Sequence, residues 1–284
     1  MLRNLHPSRI VFVFLALCMF LAACGQSNTT SGSSSTPGVT PTPASTTLKV
    51  FAAASLKSSF TAIQTKYQQA HPTVKIVYNF AGSQALVQQI TQGAPADVFA
   101  SADQKNMKTL SDAGLATDPK TFADNTLAII IPISNPAHIT ALKDLANKGV
   151  KIDIAASTVP VGSYTLQVLD KLGKSSAYGP TYESSVKANF VSQEDNDTAI
   201  VQKVELGEAD AGIVYTSDVT AAAATKVKFI SIPTTFNIIA QYPIAVLKNA
   251  TDTSDAQTFV QYILSSDGQA ILTTYHFLPP TTSS

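Results

Sequence analysis

Short apolar runs alternate with segments of helical periodicity from Leu48 onward. Such runs, bounded by Gly, Pro and polar residues, predict strands, and the amphipathic segments between them predict helices. The predicted strands are 48–54, 74–80, 97–100, 127–132, 151–155, 189–192, 211–215, 228–232 and 238–247. The predicted helices are 55–70, 83–91, 102–113, 142–147, 163–172, 198–205 and, as the terminal helix, 254–265. This alternation predicts an α/β fold with mixed sheets flanked by helices, and its restart after Leu127 indicates two lobes.

The first 46 residues have a different pattern. Arg3, His6 and Arg9 precede an apolar run, residues 10–23, which is too short for a comfortable membrane span. Residues 1–23 are therefore predicted to be a signal peptide. The run ends in Leu-Ala-Ala-Cys-Gly, which resembles a bacterial lipobox and predicts lipid on Cys24; the alternative is an uncleaved anchor. Residues 24–46 are rich in Ser, Thr, Gly and Pro and are predicted to be a disordered tether.

Charge and cysteine content narrow the function. The formal net charge is zero and no basic patch is present, so nucleic acid is not an expected partner. Arg3 and Arg9 are the only arginines, and both fall in the predicted leader. An anion bound by the mature chain is therefore not held by a guanidinium clamp. Because Cys18 lies in the leader and Cys24 is the lipidation site, we expect no disulfide and no cysteine-based metal site.

Two similar junctions carry the candidate chemistry. Ser55 follows the strand ending Phe-Ala-Ala-Ala, and Ser83 follows the strand ending Phe-Ala-Gly. Each serine lies among small residues where a strand passes into a helix, whose first N–H groups and dipole attract anions. Two such junctions indicate an oxyanion site, whereas simple helix capping is the alternative. Neither serine has an evident histidine base, so no enzymatic activity and no cofactor are expected.

Four segments, residues 50–56, 80–83, 93–103 and 209–215, together resemble the molybdate-binding proteins of ABC importers. The resemblance covers residues 47–280. It implies a two-lobed type II periplasmic-binding-protein fold whose chain crosses between lobes near Leu127 and Ile239. Lobe 1 would comprise residues 47–127 plus 240–284, and lobe 2 residues 128–239.

The resemblance also implies a set of ligand contacts. Ser55 and Ser83 would supply hydroxyl and N–H donors, Val161 a backbone N–H and Tyr215 its phenolic O–H. Asp197 aligns with a position that donates its backbone N–H, although a carboxylate there would repel a dianion. Either the Asp197 side chain turns outward, or the loop register shifts and Asn196 holds the position.

The function implied by the resemblance is that of a lipid-anchored solute-binding protein. It would capture molybdate, and tungstate too, on the extracellular or periplasmic side and deliver it to a membrane permease with its ATPase. Molybdenum would be bound only as the oxyanion, without cation-type metal ligands, and the protein is expected to be a monomer. The alternatives are a carrier of sulfate or another oxyanion, a serine hydrolase using Ser55 or Ser83, and an adhesive or sensory module.

Overall fold

A computed structural model describes residues 45–281. The predicted signal peptide, Cys24 and residues 24–44 of the predicted tether lie outside the described residues. The first strand begins at Thr46, so the predicted tether, residues 24–46, overlaps this strand by one residue. Within residues 45–281, no helix is long and apolar enough to cross a membrane.

Ten strands and eight α-helices occur in the described part of the chain. The strands are β1 Thr46–Ala53, β2 Val74–Ala81, β3 Val98–Ala100, β4 Ala116–Asn125, β5 Leu127–Pro132, β6 Ile152–Ala155, β7 Phe190–Glu194, β8 Ala211–Tyr215, β9 Val227–Ser231 and β10 Ala240–Leu247. The helices are α1 Lys57–Ala70, α2 Ser83–Thr91, α3 Gln104–Asp112, α4 Pro160–Gly173, α5 Tyr182–Lys187, α6 Asp197–Glu205, α7 Thr253–Leu264 and α8 Ser266–Thr274.

The strands form two five-stranded mixed sheets with the same topology. The first has the order β2-β1-β3-β10-β4 and the second β7-β6-β8-β5-β9. In each sheet three strands run parallel, and the remaining two run antiparallel to their neighbours. The predicted two-lobed α/β fold is confirmed, and lobe 1 and lobe 2 below denote the first and second sheet with their helices.

Two short connections join the lobes side by side. The chain passes from β4 to β5 at Thr126 and returns between Ser231 and Ala240. The side chain of Asn237 in the returning segment spans both connections. Its Oδ1 accepts from the N–H of Leu127 at 3.0 Å, and its Nδ2 donates to the carbonyl of the same residue at 2.9 Å. The two crossings are thereby tied to each other where the lobes meet.

In each lobe, an aspartate just before a parallel strand forms the same pair of hydrogen bonds with the backbone of a lysine. Asp97, just before β3, accepts the N–H of Lys49 at 2.7 Å, and its own N–H donates to the Lys49 carbonyl. Asp210, just before β8, does the same with Lys151 at 2.8 Å. Asp97 also accepts the N–H of Thr251 at 2.6 Å and is fully buried, so its role is structural.

Four elements were missed or misjudged from the sequence. Strand β4 contains Asp118 at a positive φ followed by Pro119 and lies at the edge of its sheet, where a missing N–H is tolerated. Helix α5 is only six residues long. The prediction that 254–265 is the terminal helix is wrong, because Ser265 caps a further helix, α8, by accepting the N–H of Gly268. Helix α4 begins at Pro160, three residues early, since proline suits the first helical position.

The paired aspartates give a matched stability test. Replacing Asp97 by Ala leaves two backbone N–H groups without a charged acceptor, and we expect it to lower the free energy of unfolding by about 3 kcal/mol. Asp210→Ala removes one such bond at a partly exposed site and should cost about 1 kcal/mol. Urea denaturation of both variants measures this difference. Equal losses would contradict the structural assignment of Asp97.

Candidate functional site

The carboxyl ends of the parallel strands of both lobes meet around one small cavity. Its volume is about 10 Å³, which is close to the space that one buried water requires. Each lobe contributes half of the lining, lobe 1 with Ala53, Ala54, Gly82, Ser83 and Ala102, and lobe 2 with Val159, Pro160, Val161, Asp197 and Tyr215. Ligands of open α/β sheets bind at this edge.

Three helices begin at the cavity wall. Their first residues are Ser83 in α2, Pro160 in α4 and Asp197 in α6. The first N–H groups of a helix have no partner within the helix, and this end carries the positive pole of the helix dipole. None of the lining residues is Lys, Arg or His. The positive potential inside this cavity therefore comes from backbone dipoles and not from side-chain cations.

Ser83 presents its hydroxyl as a donor. Its Oγ accepts the N–H of Ala102 at 3.0 Å, which leaves the hydroxyl proton free to be donated. The N-cap of α2 is Gly82, and no side chain caps this helix. The capping alternative is therefore wrong for Ser83.

Ser55 lies beside the cavity but does not line it. It lies within a 3-10 turn, Ala54–Leu56, and its Oγ is 2.9 Å from the phenolic oxygen of Tyr242. Its neighbour Ala54 lines the cavity instead. The hydroxyl does not cap α1 either, since no side-chain bond caps that helix. The structure thus brings Ser83 together with the three predicted residues of lobe 2, which are Val161, Asp197 and Tyr215. Ser55 lies next to them.

Tyr242 is the residue that sequence reasoning missed. It is fully buried on β10, and its phenolic oxygen also lies 3.4 Å from Nδ2 of Asn125. Its ring packs edge-on against Tyr215, with centroids 5.7 Å apart. A tyrosine in an apolar strand has no sequence signal that separates this role from ordinary core packing.

Tyr215 ends β8 with its side chain 1% exposed. Its phenolic oxygen has no hydrogen-bond partner among the described residues. Burial raises the pKa of this phenol well above its usual range, so the group stays protonated and remains a donor. An unpaired buried hydroxyl is costly. Its presence at the cavity indicates that an acceptor belongs there.

The lobe 2 wall at Val161 requires the glycine that follows. A Cβ at Gly162 would overlap the carbonyl oxygens of Ala155 and Ala156, at the end of β6 and just beyond it. The absence of a side chain lets the first turn of α4 pack directly on the strand end. Val161, in this first turn, lines the cavity. That its backbone N–H contacts a ligand stays a prediction.

Asp197 faces inward. It is 4% exposed and lines the cavity, so the alternative with an outward-turned side chain is wrong. Asn196 is the N-cap of α6, with its Oδ1 accepting the N–H of Ala199 at 3.0 Å. Asn196 lines a separate pocket together with Lys57. Which of the two backbone N–H groups contacts a ligand stays a prediction.

The two lobes touch directly above the cavity. The Nε2 of Gln84 in lobe 1 donates to the carbonyl of Asp195 in lobe 2 at 3.1 Å. A Cβ at Gly82 would overlap the same carbonyl oxygen. Gly82 has an ordinary negative φ. It is therefore required for close approach of the lobes and not for an unusual backbone conformation.

The metal-ligating side chains do not form a cation site. Within residues 45–281, no group of three or more His, Cys, Asp and Glu side chains lies close enough to hold a metal ion. The cavity donors described above suit the oxygens of an anion instead.

Comparison with known proteins agrees with this geometry. The family model described as bacterial extracellular solute-binding protein matches residues 48–278. The chain is 39% identical over 232 residues to the molybdate-binding protein ModA of Mycobacterium tuberculosis, covering 81% of this chain and 84% of that relative. The periplasmic molybdate-binding protein of Azotobacter vinelandii matches with a TM-score of 0.71 at 22% identity, covering 82% of this chain and 100% of that one. The sulfate-binding protein SubI of M. tuberculosis matches with 0.72 at 15% identity, covering 82% and 87%. These two structures show the shared fold.

The contact at Gly82 predicts that a larger residue at this position would keep the two lobes from closing fully. In Gly82→Ala the new methyl group would collide with the Asp195 carbonyl, so we expect the lobes to stay further apart. Spin labels on exposed positions of the two lobes would measure this change. The distribution of distances between the labels should lose its shortest distances. Gln84→Ala removes the hydrogen bond without adding bulk and should change the distances less. Unchanged distances in Gly82→Ala would contradict this role.

Proposed function

The chain belongs to the bacterial extracellular solute-binding proteins, and from this premise we propose that it captures molybdate between its lobes for an ABC importer. The observation that carries the proposal is a cavity lined by neutral donors, with three helix starts and an unpaired buried phenol. A tetrahedral dianion needs many hydrogen bonds when it loses its water shell. The name of the relative at 39% identity agrees with this ligand.

Neutral donors are sufficient to hold such an ion. A hydrogen bond to a charged group contributes about 1.5–3 kcal/mol, so five to seven fixed donors replace a counter-charge. We assign hydroxyl donation to Ser83 and Tyr215, and backbone N–H donation to Val161 and Asp197. Ser55 is the fifth proposed contact, with Tyr242 fixing its hydroxyl at 2.9 Å. The residues contact oxygens of the ion, and none coordinates molybdenum.

The cavity volume bears on how the ion enters. At about 10 Å³ it has room for about one water, and we propose that the lobes separate slightly to admit and hold the ion. Donors on opposing lobes then set the distance across the bound ion. Tungstate has the same charge and shape as molybdate, and we propose that it binds as well, whereas the smaller sulfate leaves donors unpaired.

The remaining alternatives have less support. A sulfate carrier shares the fold, since the sulfate-binding protein matches as well as the molybdate-binding one, and only a binding measurement separates them. A serine hydrolase needs a base, yet the Ser55 hydroxyl contacts Tyr242 and the Ser83 oxygen accepts a backbone N–H. An adhesive or sensory module has no observation in its favour.

Localisation and delivery complete the proposal. The family is extracellular, and we propose that lipid on Cys24 holds a monomer at the membrane, where it delivers the ion to the permease and its ATPase. Cys24 lies outside the described residues, so its lipidation rests on the sequence. Mass spectrometry of the mature N-terminus would test it.

Calorimetric titration of the chain from residue 45 onward tests the ligand directly. We expect molybdate and tungstate to bind with micromolar or lower dissociation constants, about −8 kcal/mol or better. A large excess of sulfate should displace them poorly. Tighter binding of sulfate would favour the sulfate carrier, and no binding of any of the three would overturn the oxyanion assignment.

Single-residue variants test the assigned donors. Ser83→Ala and Tyr215→Phe each remove one hydroxyl donor and should weaken molybdate binding by about 1–3 kcal/mol. Ser59→Ala is the matched control, because the buried Ser59 hydroxyl donates to the carbonyl of Leu56 and does not line the cavity. Thermal melting without ligand should stay nearly unchanged in Tyr215→Phe. A loss of affinity in Ser59→Ala equal to that in Ser83→Ala would argue for a general packing effect.

A further inference from the structure

A buried carboxyl group lines the cavity that is proposed to hold a dianion. Asp197 is the first residue of α6, and its side chain is 4% exposed. Its Oδ2 has no hydrogen-bond partner among the described residues. A charged carboxylate in this position would repel the ion, and a structural carboxylate would have its oxygens paired. The proposed donation by the backbone N–H of this residue therefore does not account for an acidic side chain at this position.

A second carboxyl group lies against the first. Asp218 lies in the 3-10 turn Thr216–Asp218, directly after β8. Its Oδ2 accepts the N–H of Tyr215 at 2.9 Å, which fixes its position. Asp197 and Asp218 lie near enough that each shifts the pKa of the other's carboxyl group. Two carboxylates so close to each other repel, which favours protonation of one of them.

The surroundings favour this protonation. Burial raises the pKa of Asp197, and burial together with the nearby Asp197 raises the pKa of Asp218 well above the usual range of an aspartate. Because the two groups titrate as a pair, the first proton belongs to both. In the empty site the pair therefore favours one proton and one negative charge over two negative charges.

The other titratable groups that face the pair are mostly neutral phenols. Burial raises their pKa values, so they stay protonated over the physiological range; they are Tyr164 on α4, Tyr215 on β8 and Tyr242 on β10. None of the three supplies a positive charge that would keep a second carboxylate ionised.

The charged groups nearby do not compensate either. Asp103, the N-cap of α3, is a further acid, and its carboxylate accepts hydrogen bonds from Asn106. Lys57 at the start of α1 is exposed and lines the neighbouring pockets, not the cavity. Glu205 at the far end of α6 is paired with Lys226 at 2.9 Å.

We propose that Asp197 contacts the bound oxyanion as a neutral carboxylic acid, and that each dianion is therefore taken up together with about one proton from solvent. The inference rests on the proposed function. A dianion beside the pair disfavours its remaining negative charge and draws in the second proton. The protonated carboxyl then donates a hydrogen bond to an oxygen of the ion, adding a donor to the hydroxyl and N–H groups.

The sign of the pH dependence follows. The bound state holds more protons than the empty state, so affinity rises as pH falls. Where one proton is taken up per ion, the dissociation constant decreases by up to about tenfold per pH unit. A site of neutral donors alone would show no such slope for a ligand that stays a dianion.

Calorimetry with micromolar tungstate measures the proton directly. Titrations near neutral pH in buffers of different ionisation enthalpy should give an uptake of about 0.5–1 proton per ion for the parent chain. Asp197→Asn keeps a neutral donor of the same shape, and we expect its proton uptake to fall to near zero with a flat affinity profile from about pH 6 to 8. Glu208→Gln is the charge-matched control in the exposed loop before β8, and it should retain the parent uptake.

The outcomes separate this inference from the proposed function. Tungstate binding without proton uptake in the parent chain, or with the same uptake in Asp197→Asn, would overturn the role of Asp197 and leave the oxyanion site standing. Failure of the parent chain to bind tungstate or molybdate at any pH would overturn the proposed function itself. The proton count of the parent chain decides the question even if Asp197→Asn does not fold.

Discussion

Burial of a doubly charged ion without a counter-cation, which is the function proposed above, is the constraint that explains the arrangement of this protein. It requires many dipoles that converge on one point from several directions. Two sheets of the same topology satisfy it, because the parallel strands of each end at the interface and feed helices whose first N–H groups face the cavity. One lobe alone supplies only half of the wall.

Hydrogen bonds and close packing at particular residues of the two lobes help to position these dipoles. Asp97 and Asp210 fix the start of corresponding strands, so the opposite ends of those strands are placed with the same precision. Gly162 lets α4 pack on the end of β6, and Gly82 lets the lobes touch above the cavity. In both cases a glycine is needed because a Cβ would collide with a carbonyl oxygen.

The cavity also contains its own negative charge. Asp197 in the wall of an anion site is a contradiction only while it is treated as a carboxylate. We propose above that Asp197, close to Asp218 and removed from water, is a group whose charge depends on the ligand. The phenol of Tyr215 is also unpaired, and in the proposed function the ion supplies its missing partner.

From the sequence alone, the class of fold and four of the residues that line the cavity could be predicted. Strands 127–132 and 211–215 were predicted with the bounds that the structure shows, because buried central strands are continuous apolar runs. Strand β4 was missed because an edge strand tolerates Asp118 and Pro119, which local pattern rules treat as a loop.

Only the tertiary structure decided what each polar group contacts. It paired Ser55 with Tyr242, 187 residues away, and left the neighbouring Ser83 to face the cavity. It buried Asp197, where the sequence left the direction of the side chain open. The physical reason is that hydrophobic periodicity is local, whereas burial, hydrogen-bond partners and proton affinity depend on groups that the fold brings together from distant parts of the chain.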